Sequence, residues 1–201
     1  MQKEFAIFFL YGGIEAGPPS LGLQVEGAFI PRNNTEEAIL LLLILLKKFA
    51  LEKTPWDPTI MDHLTFALSM SGQFGTLAEK NEEVIPGMYN RTDRWYTLAL
   101  CYSAAGQDEV ALNLVRKTLS PSENPDHIPA ALFAAKLCGQ SSKYAHEGVH
   151  FARGLLETRD YEFGHMKSVA NHLLGIALGK KLDLLSLTLK EPRCNMRLLL
   201  L

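Results

Sequence analysis

Apolar side chains along residues 92–118 recur with the period of a helix. Trp95, Leu98, Ala99 and Tyr102 fall at i, i+3, i+4 and i+7, one stripe of an amphipathic helix. Gly106 follows where such a helix must stop and reverse. Ala111 and Val115 then carry a second stripe, with Ala111 small where two helices must approach closely, and Pro125 closes the unit. A single helix pair leaves apolar surface uncovered, so the pattern predicts neighbours of the same kind.

The neighbours are legible on both sides. Upstream, Met61, Leu64 and Leu68 form a first stripe, Gly72 a turn and Leu77 a close-contact position. Leu64 and Leu98, Leu68 and Tyr102, Gly72 and Gly106, and Leu77 and Ala111 are each 34 residues apart. Downstream, Ile128, Ala131, Leu132 and Ala135 suggest another stripe, and Gly139 a turn 33 residues after Gly106. Ala145 follows Ala111 by 34. A helix-turn-helix period of this length, with Trp, Leu and Tyr in the first helix, is the tetratricopeptide pattern; here Ala99 replaces its Gly and Val115 its Phe. The expected fold is all-α, a tetratricopeptide-repeat solenoid of antiparallel helix pairs stacked in a right-handed superhelix. Repeats are expected over 58–91, 92–125 and 126–159. An incomplete fourth is expected over 160–181, with Leu174, Gly175 and Leu178 in its first helix.

The flanks are less regular. Residues 1–34 read as a short apolar N-terminal element and an extended connector rich in Gly and Pro. A helix over 35–53, apolar almost all round, is expected to be buried, with Asn34 and Glu37 as its capping box. Residues 182–201 end in four leucines and offer no polar capping face, so they read as a non-repeat tail at which the array is cut off.

Charge narrows the function. Lys and Arg number 20 against 22 for Asp and Glu, so no net field draws the chain to nucleic acid. The run Ala38–Leu46 is nine residues, about half of the ~20 a membrane span needs. No transmembrane or targeting signal stands, and the expected location is cytoplasmic. Cys101, Cys138 and Cys194 are too few for a disulfide framework and read as reduced, buried thiols. No motif calls for a cofactor.

Two sets of residues carry candidate chemistry. His146-Glu147-Gly148-Val149-His150 is a literal H-E-x-x-H, which on a helix sets two imidazoles on one face with a glutamate as base. Glu157 or Glu162 could supply a third ligand, making a zinc hydrolase the alternative function. Against it, the motif lies in a segment whose phase is set by packing, and Gly148 weakens the helix at its centre. The second set is the partner-binding groove expected on the first helices: Asp62 and Phe66, then Tyr96 and Leu100. An acid, two aromatics and a leucine do not make a carboxylate clamp. They suit an apolar or amphipathic peptide, or another helix of the same array.

The wording of the chain carries a family resemblance. Lys3–Phe8, Gly12–Gly22, Phe29–Asn34, Trp56-Asp57-Pro58, His63–Ser69 and Arg94–Leu100 resemble the plant No Pollen Germination tetratricopeptide proteins. The resemblance covers about residues 2–180 and includes the non-repeat connector. It implies a calmodulin-binding adaptor rather than an enzyme, linked to pollen germination. It also implies kinship with scaffolds that hold a phosphatidylinositol 4-kinase complex at the plasma membrane. Members of the family are several times longer, so the chain would be an internal piece; a truncated product without function is a further reading. Calmodulin takes basic amphipathic helices with bulky anchors. Met166–Arg193 fits best, with Val169, Ile176 and Leu182 at first, eighth and fourteenth places, although repeat packing explains the same spacing.

Overall fold

The computed structural model describes residues 2–12, 31–51, 53, 55, 57–83, 90–157 and 164–190, with side chains over 166–186 of the last stretch. Among these residues every regular element is helical, the fold class expected. The connector at 13–30 and residues 191–201 of the tail lie outside the described residues. The chain forms two compact units, Met1–Glu83 and Val84–Leu201.

In the first unit, α1 (Gln2–Tyr11) packs on α2 (Asn34–Ala50), α2 on α3 (Pro58–Met70), and α3 on α4 (Phe74–Glu83). The cap of α2 is Asn33, one residue earlier than expected. Its backbone is extended (φ −149°, ψ 169°) and its side chain accepts from the Glu36 amide at 2.8 Å. The Glu36 carboxylate in turn accepts from the Arg32 amide at 2.7 Å, so the reciprocal logic of a capping box survives in a shifted register. Asn34 is instead the first helical residue, and it is buried. Nor is α2 buried all round. Ala38, Ile39, Leu42 and Leu45 form its covered stripe while Ile44 is exposed, because neighbouring helices take up one side.

Asp57 starts α3. It accepts from the Thr59 amide at 3.1 Å and the Thr59 hydroxyl at 2.7 Å, and Pro58 fills the first turn, where no amide hydrogen is needed. It also takes an ion pair from Lys3 of α1 at 2.5 Å, tying the N-terminal helix to the start of α3. At the far end, Gly72 has φ +69°. Gln73 donates to the Leu68 carbonyl at 2.9 Å and Gly72 to the Ser69 carbonyl at 3.1 Å. This is the paired closure a left-handed glycine allows.

The second unit contains α5 (Arg91–Ala104), α6 (Asp108–Thr118), α7 (Ile128–Gln140), a 3-10 turn (Ser142–Tyr144), α8 (Ala145–Glu157) and α9 (Gly164–Lys190). Each helix packs on the next, and α7 also packs on α9. Gly106, at φ +79°, closes α5 as Gly72 closes α3, through Gln107 to Tyr102 at 2.8 Å and Gly106 to Ser103 at 2.9 Å. Ala99, Ala111, Leu112, Val115, Ala130, Ala134, Leu137 and Cys138 form one buried cluster. Half of that set is alanine, which lets the helix axes approach closely while the larger side chains fill the gaps.

Three expected registers are corrected in this unit. The buried stripe of α6 is Ala111, Leu112, Val115 and Thr118, and that of α8 includes Gly148, Val149, Ala152 and Leu155. The two match at a shift of 37 residues, so the close-contact counterpart of Ala111 is Gly148 rather than Ala145. Gly139 is not a turn. It is a buried residue inside α7, where an added Cβ would lie 3.1 Å from Ile176 of α9. With no left-handed glycine available, the chain leaves α7 through extended Ser141 (φ −128°, ψ 132°) and the 3-10 turn, and these added residues lengthen the repeat. In α9 the inward stripe is Ala170, Leu173 and Ala177; of the expected Leu174, Gly175 and Leu178, Leu174 is half-buried against that stripe while Gly175 and Leu178 are exposed. That helix also runs through position 181 without a break, to Lys190.

Gly148 is the tightest of the described glycines in the second unit. A Cβ there would stand 2.9 Å from Cys138 Cβ of α7 and 3.3 Å from Ala177 Cβ of α9. Gly175, by contrast, is an exposed helical glycine with nothing within 4 Å. Gly148→Ala should therefore destabilise by about 1–3 kcal/mol through overpacking, whereas Gly175→Ala should stabilise by about 0.5–1 kcal/mol. Chemical denaturation of the two variants reads both signs at once. For α3, the hydrogen bond from Lys3, and then those from Thr59, hold the Asp57 carboxyl below its ordinary value of 3.8. A lowered folded-state value contributes stability above that ordinary value and loses it as pH falls through the folded one. Asp57→Asn keeps the cap and should remove this acid dependence, whereas Asp57→Ala should cost a further ~1 kcal/mol at neutral pH. Unfolding curves between pH 7 and pH 2.5 check it.

Candidate functional site

The expected groove residues fall in both units. Asp62 of α3 is exposed. Phe66, one turn on, is 43% exposed, but one face of its ring stacks on Tyr11 of α1 with centroids 5.8 Å apart and planes 20° apart. Tyr11 is steered there by a 3.2 Å hydrogen bond between its hydroxyl and His63 Nδ1. In the second unit, Tyr96 of α5 is half-buried. Its ring lies 5.1 Å from His127 and meets Phe133 edge-on at 6.3 Å. Burial pushes its phenol above the ordinary value, so it stays protonated and able to donate at neutral pH. His127 is itself occupied, its Nδ1 accepting from the Ala130 amide at 3.0 Å to cap α7. Leu100, one turn after Tyr96, is 41% exposed.

The three anchors on α9 all reach the surface: Val169 is 46% exposed, Ile176 38% and Leu182 65%. Ala170, Leu173 and Ala177 hold the first half of the helix inward. Beyond Ala177, Leu178, Leu182, Leu184 and Leu185 are all exposed, beside Lys180, Lys181 and Asp183. At about 100° per residue, Val169 and Ile176 share one face while Leu182 lies about 140° round the helix. A partner engaging all three must wrap α9 rather than lie along it.

The H-E-x-x-H segment forms the first turns of α8, with His146 and His150 exposed on one face. Glu147 is turned to Arg116 of α6, accepting from Nε at 2.8 Å and Nη2 at 2.6 Å, the bidentate geometry guanidinium favours. A carboxylate so held is committed to joining two helices and is not poised as a base. Glu162 lies outside the described residues, and among those described no three His, Cys, Asp or Glu side chains converge as a metal cage. The buried thiols are unreactive for a physical reason. Burial pushes Cys138 up to about 12 and raises Cys101 as well, leaving little nucleophilic thiolate at neutral pH.

The Arg116–Glu147 pair belongs to a larger polar staple. Arg116 also donates to Asn113 at 2.7 Å and its guanidinium lies 5.4 Å from the Tyr144 ring centroid. The Tyr144 hydroxyl donates to Glu109 Oε1 at 3.0 Å, and Lys143 Nζ reaches the same oxygen at 3.1 Å. Lys143 and then Tyr144 hold the Glu109 carboxyl below its ordinary value. The spacing of Glu109 and Lys143, 34 residues, was the available sequence signal for this staple. The Arg116–Glu147 spacing of 31 was not periodic and gave none.

Comparison with known proteins finds relatives by sequence. The chain is 53% identical over 181 residues to Protein NPG1 of Arabidopsis thaliana, covering 90% of this chain and 26% of that protein. It is 46% identical over 178 residues to Arabidopsis Protein NPGR2, covering 89% and 24%. The chain is a homologue of the No Pollen Germination proteins. It spans about a quarter of the length of these curated relatives. Human Tetratricopeptide repeat protein 7B is 31% identical over 147 residues, covering 66% of this chain and 17% of that protein. A solved structure of nearly identical TPR-like repeats from Podosopora anserina aligns at TM-score 0.49 and 16% identity, covering 90% of this chain and 94% of that one, a likeness too distant to carry weight. No protein-family model matches the chain.

The described helices pack in consecutive antiparallel pairs, the fold expected of a tetratricopeptide array. Within that fold the staple holds the α6–α8 contact. Its Arg116 and Glu147 side chains are 37% and 29% exposed, so solvent screening limits the pair to about 1 kcal/mol. A double-mutant cycle of Arg116→Met and Glu147→Gln should return a coupling of about that size, and a coupling indistinguishable from zero would show the staple to be ornamental.

Proposed function

We propose that this chain is a non-catalytic adaptor whose partner is calmodulin, bound through α9. The observation that carries the reading is the division of labour along that helix. Ala170, Leu173 and Ala177 are spent on packing, and Ile176 faces Gly139 of α7 on one side while staying 38% exposed; Val169 and Leu182 stand outside among lysines. A basic helix with bulky outward anchors is the chemistry a calcium-loaded calmodulin lobe accepts. Leu182, 65% exposed, is the anchor that costs the fold nothing to offer. Val169 and Ile176 sit nearer the packed stripe and would be engaged as the first half of α9 loosens from α7 and α8.

The groove residues Asp62, Phe66, Tyr96 and Leu100 form a second part of the proposal, as surface for other protein partners. The No Pollen Germination homology supports a role in pollen germination. The resemblance to scaffolds of a phosphatidylinositol 4-kinase complex supports assembly with subunits of such a complex, which would place the chain in the cytoplasm, peripheral at the plasma membrane. No helix among the described residues is long and apolar enough to cross a membrane.

Calorimetric titration of the intact chain with calmodulin tests the leading part. Binding is expected in calcium and absent in chelator, with Leu182→Asp weakening it at least tenfold, about 1.4 kcal/mol. Equal heats with and without calcium, or full affinity in Leu182→Asp, would remove calmodulin from the account.

A further inference from the structure

We infer that His146 and His150 form an exposed two-imidazole chelate for a divalent transition metal on the surface of α8. The residues of H-E-x-x-H are split by the fold into two separate jobs. Glu147 is bound to Arg116 across the α6–α8 contact, which withdraws it from its neighbours. Gly148 is inserted against Cys138 and Ala177. The two histidines remain, both exposed and four residues apart on the same helix, the ring of His150 with its centroid 6.0 Å from that of Phe151.

Side chains at that spacing stand about 5–6 Å apart at Cβ on one helical face, close enough for both imidazoles to reach one ion. The backbone between them is fixed before any metal arrives. Ala145, Gly148, Val149 and Ala152 are all buried and anchor α8, so binding need not order the helix. Two other histidines are engaged elsewhere: His63 with the Tyr11 hydroxyl and His127 as the cap of α7. Two nitrogen donors suit Cu2+, Ni2+ and Zn2+ and not Mg2+ or Ca2+. The remaining positions would hold water, because among the described residues no third ligand converges on the pair. Arg153 and Glu157 continue the same exposed face with opposite charges, so the face as a whole does not repel a cation.

Thermal unfolding of the intact chain with each metal tests the site. Cu2+, Ni2+ or Zn2+ at about a hundred times its dissociation constant should raise the midpoint by about 5 °C, and Mg2+ should leave it unchanged. His146→Ala and His150→Ala each remove half of the chelate from an exposed helical position, where alanine keeps the fold. Either should abolish the shift, and His172→Ala, on α9, should preserve it. No shift with any of the three metals, a shift that survives in both α8 variants, or one lost in His172→Ala would overturn the proposal.

Discussion

The second unit depends on how closely three helices meet at one glycine. Gly148 of α8 sits against Cys138 of α7 and Ala177 of α9, and the space for a single methyl group is already taken. Dispersion at such a point is worth little per atom pair, but closeness brings the surrounding side chains into contact as well. Val149, Ala152 and Leu155 follow Gly148 down the same face, and Leu173 enters from α9. Ala111 gives α6 the corresponding small residue against α5 and α7. The alternation of small and branched residues makes helix pairs stack. It is also why the chemistry-like motif around Gly148 is a packing motif at its centre.

A polar layer lies over this apolar one. Arg116, Glu147, Tyr144, Lys143 and Glu109 link α6, the 3-10 turn and α8 near the surface. Their arrangement fixes the rotation of α8 more than it adds stability, since exposed pairs are screened. Fixing that rotation has consequences on the outer face, where His146 and His150 are presented together. It also sets the inner face, where the first half of α9 is received. The second half of α9, past Ala177, has exposed leucines, and that contrast within one helix is the basis for assigning it a partner.

Most of the architecture was legible in the sequence because the first two helix pairs keep a strict period. Gly72 and Gly106 both occupy the left-handed position that ends a helix, and that requirement is local enough to read from residue identity. Gly139 misled for the same reason. A glycine at nearly the right spacing suggests a turn, but this one is kept small by Ile176, a residue 37 positions away. Reading the apolar stripes instead of the glycines recovers the true register, since Gly148-Val149 and Ala152 repeat Ala111-Leu112 and Val115. The shifted cap at Asn33 was invisible for a different reason. Asn33 and Asn34 both have a glutamate three residues later, and only the backbone conformation chooses between them. For the candidate site, exposure of Leu100, Val169, Ile176 and Leu182 could not be told from core packing by spacing alone. Nor could the capture of Phe66 by Tyr11, which depends on how α1 meets α3.

The central claim is that α7, α8 and the first half of α9 unfold as one body around Gly148, with the rest of α9 outside it. Residue-resolved amide hydrogen exchange measures this most directly. The amides of Leu137, Cys138, Val149, Ala152, Leu173 and Ala177 should share one opening free energy, the largest in the unit, while those of residues 182–186 exchange orders of magnitude faster. Protection of 182–186 equal to that of Val149 would contradict the account. So would an α8 that opens independently of α7 and α9.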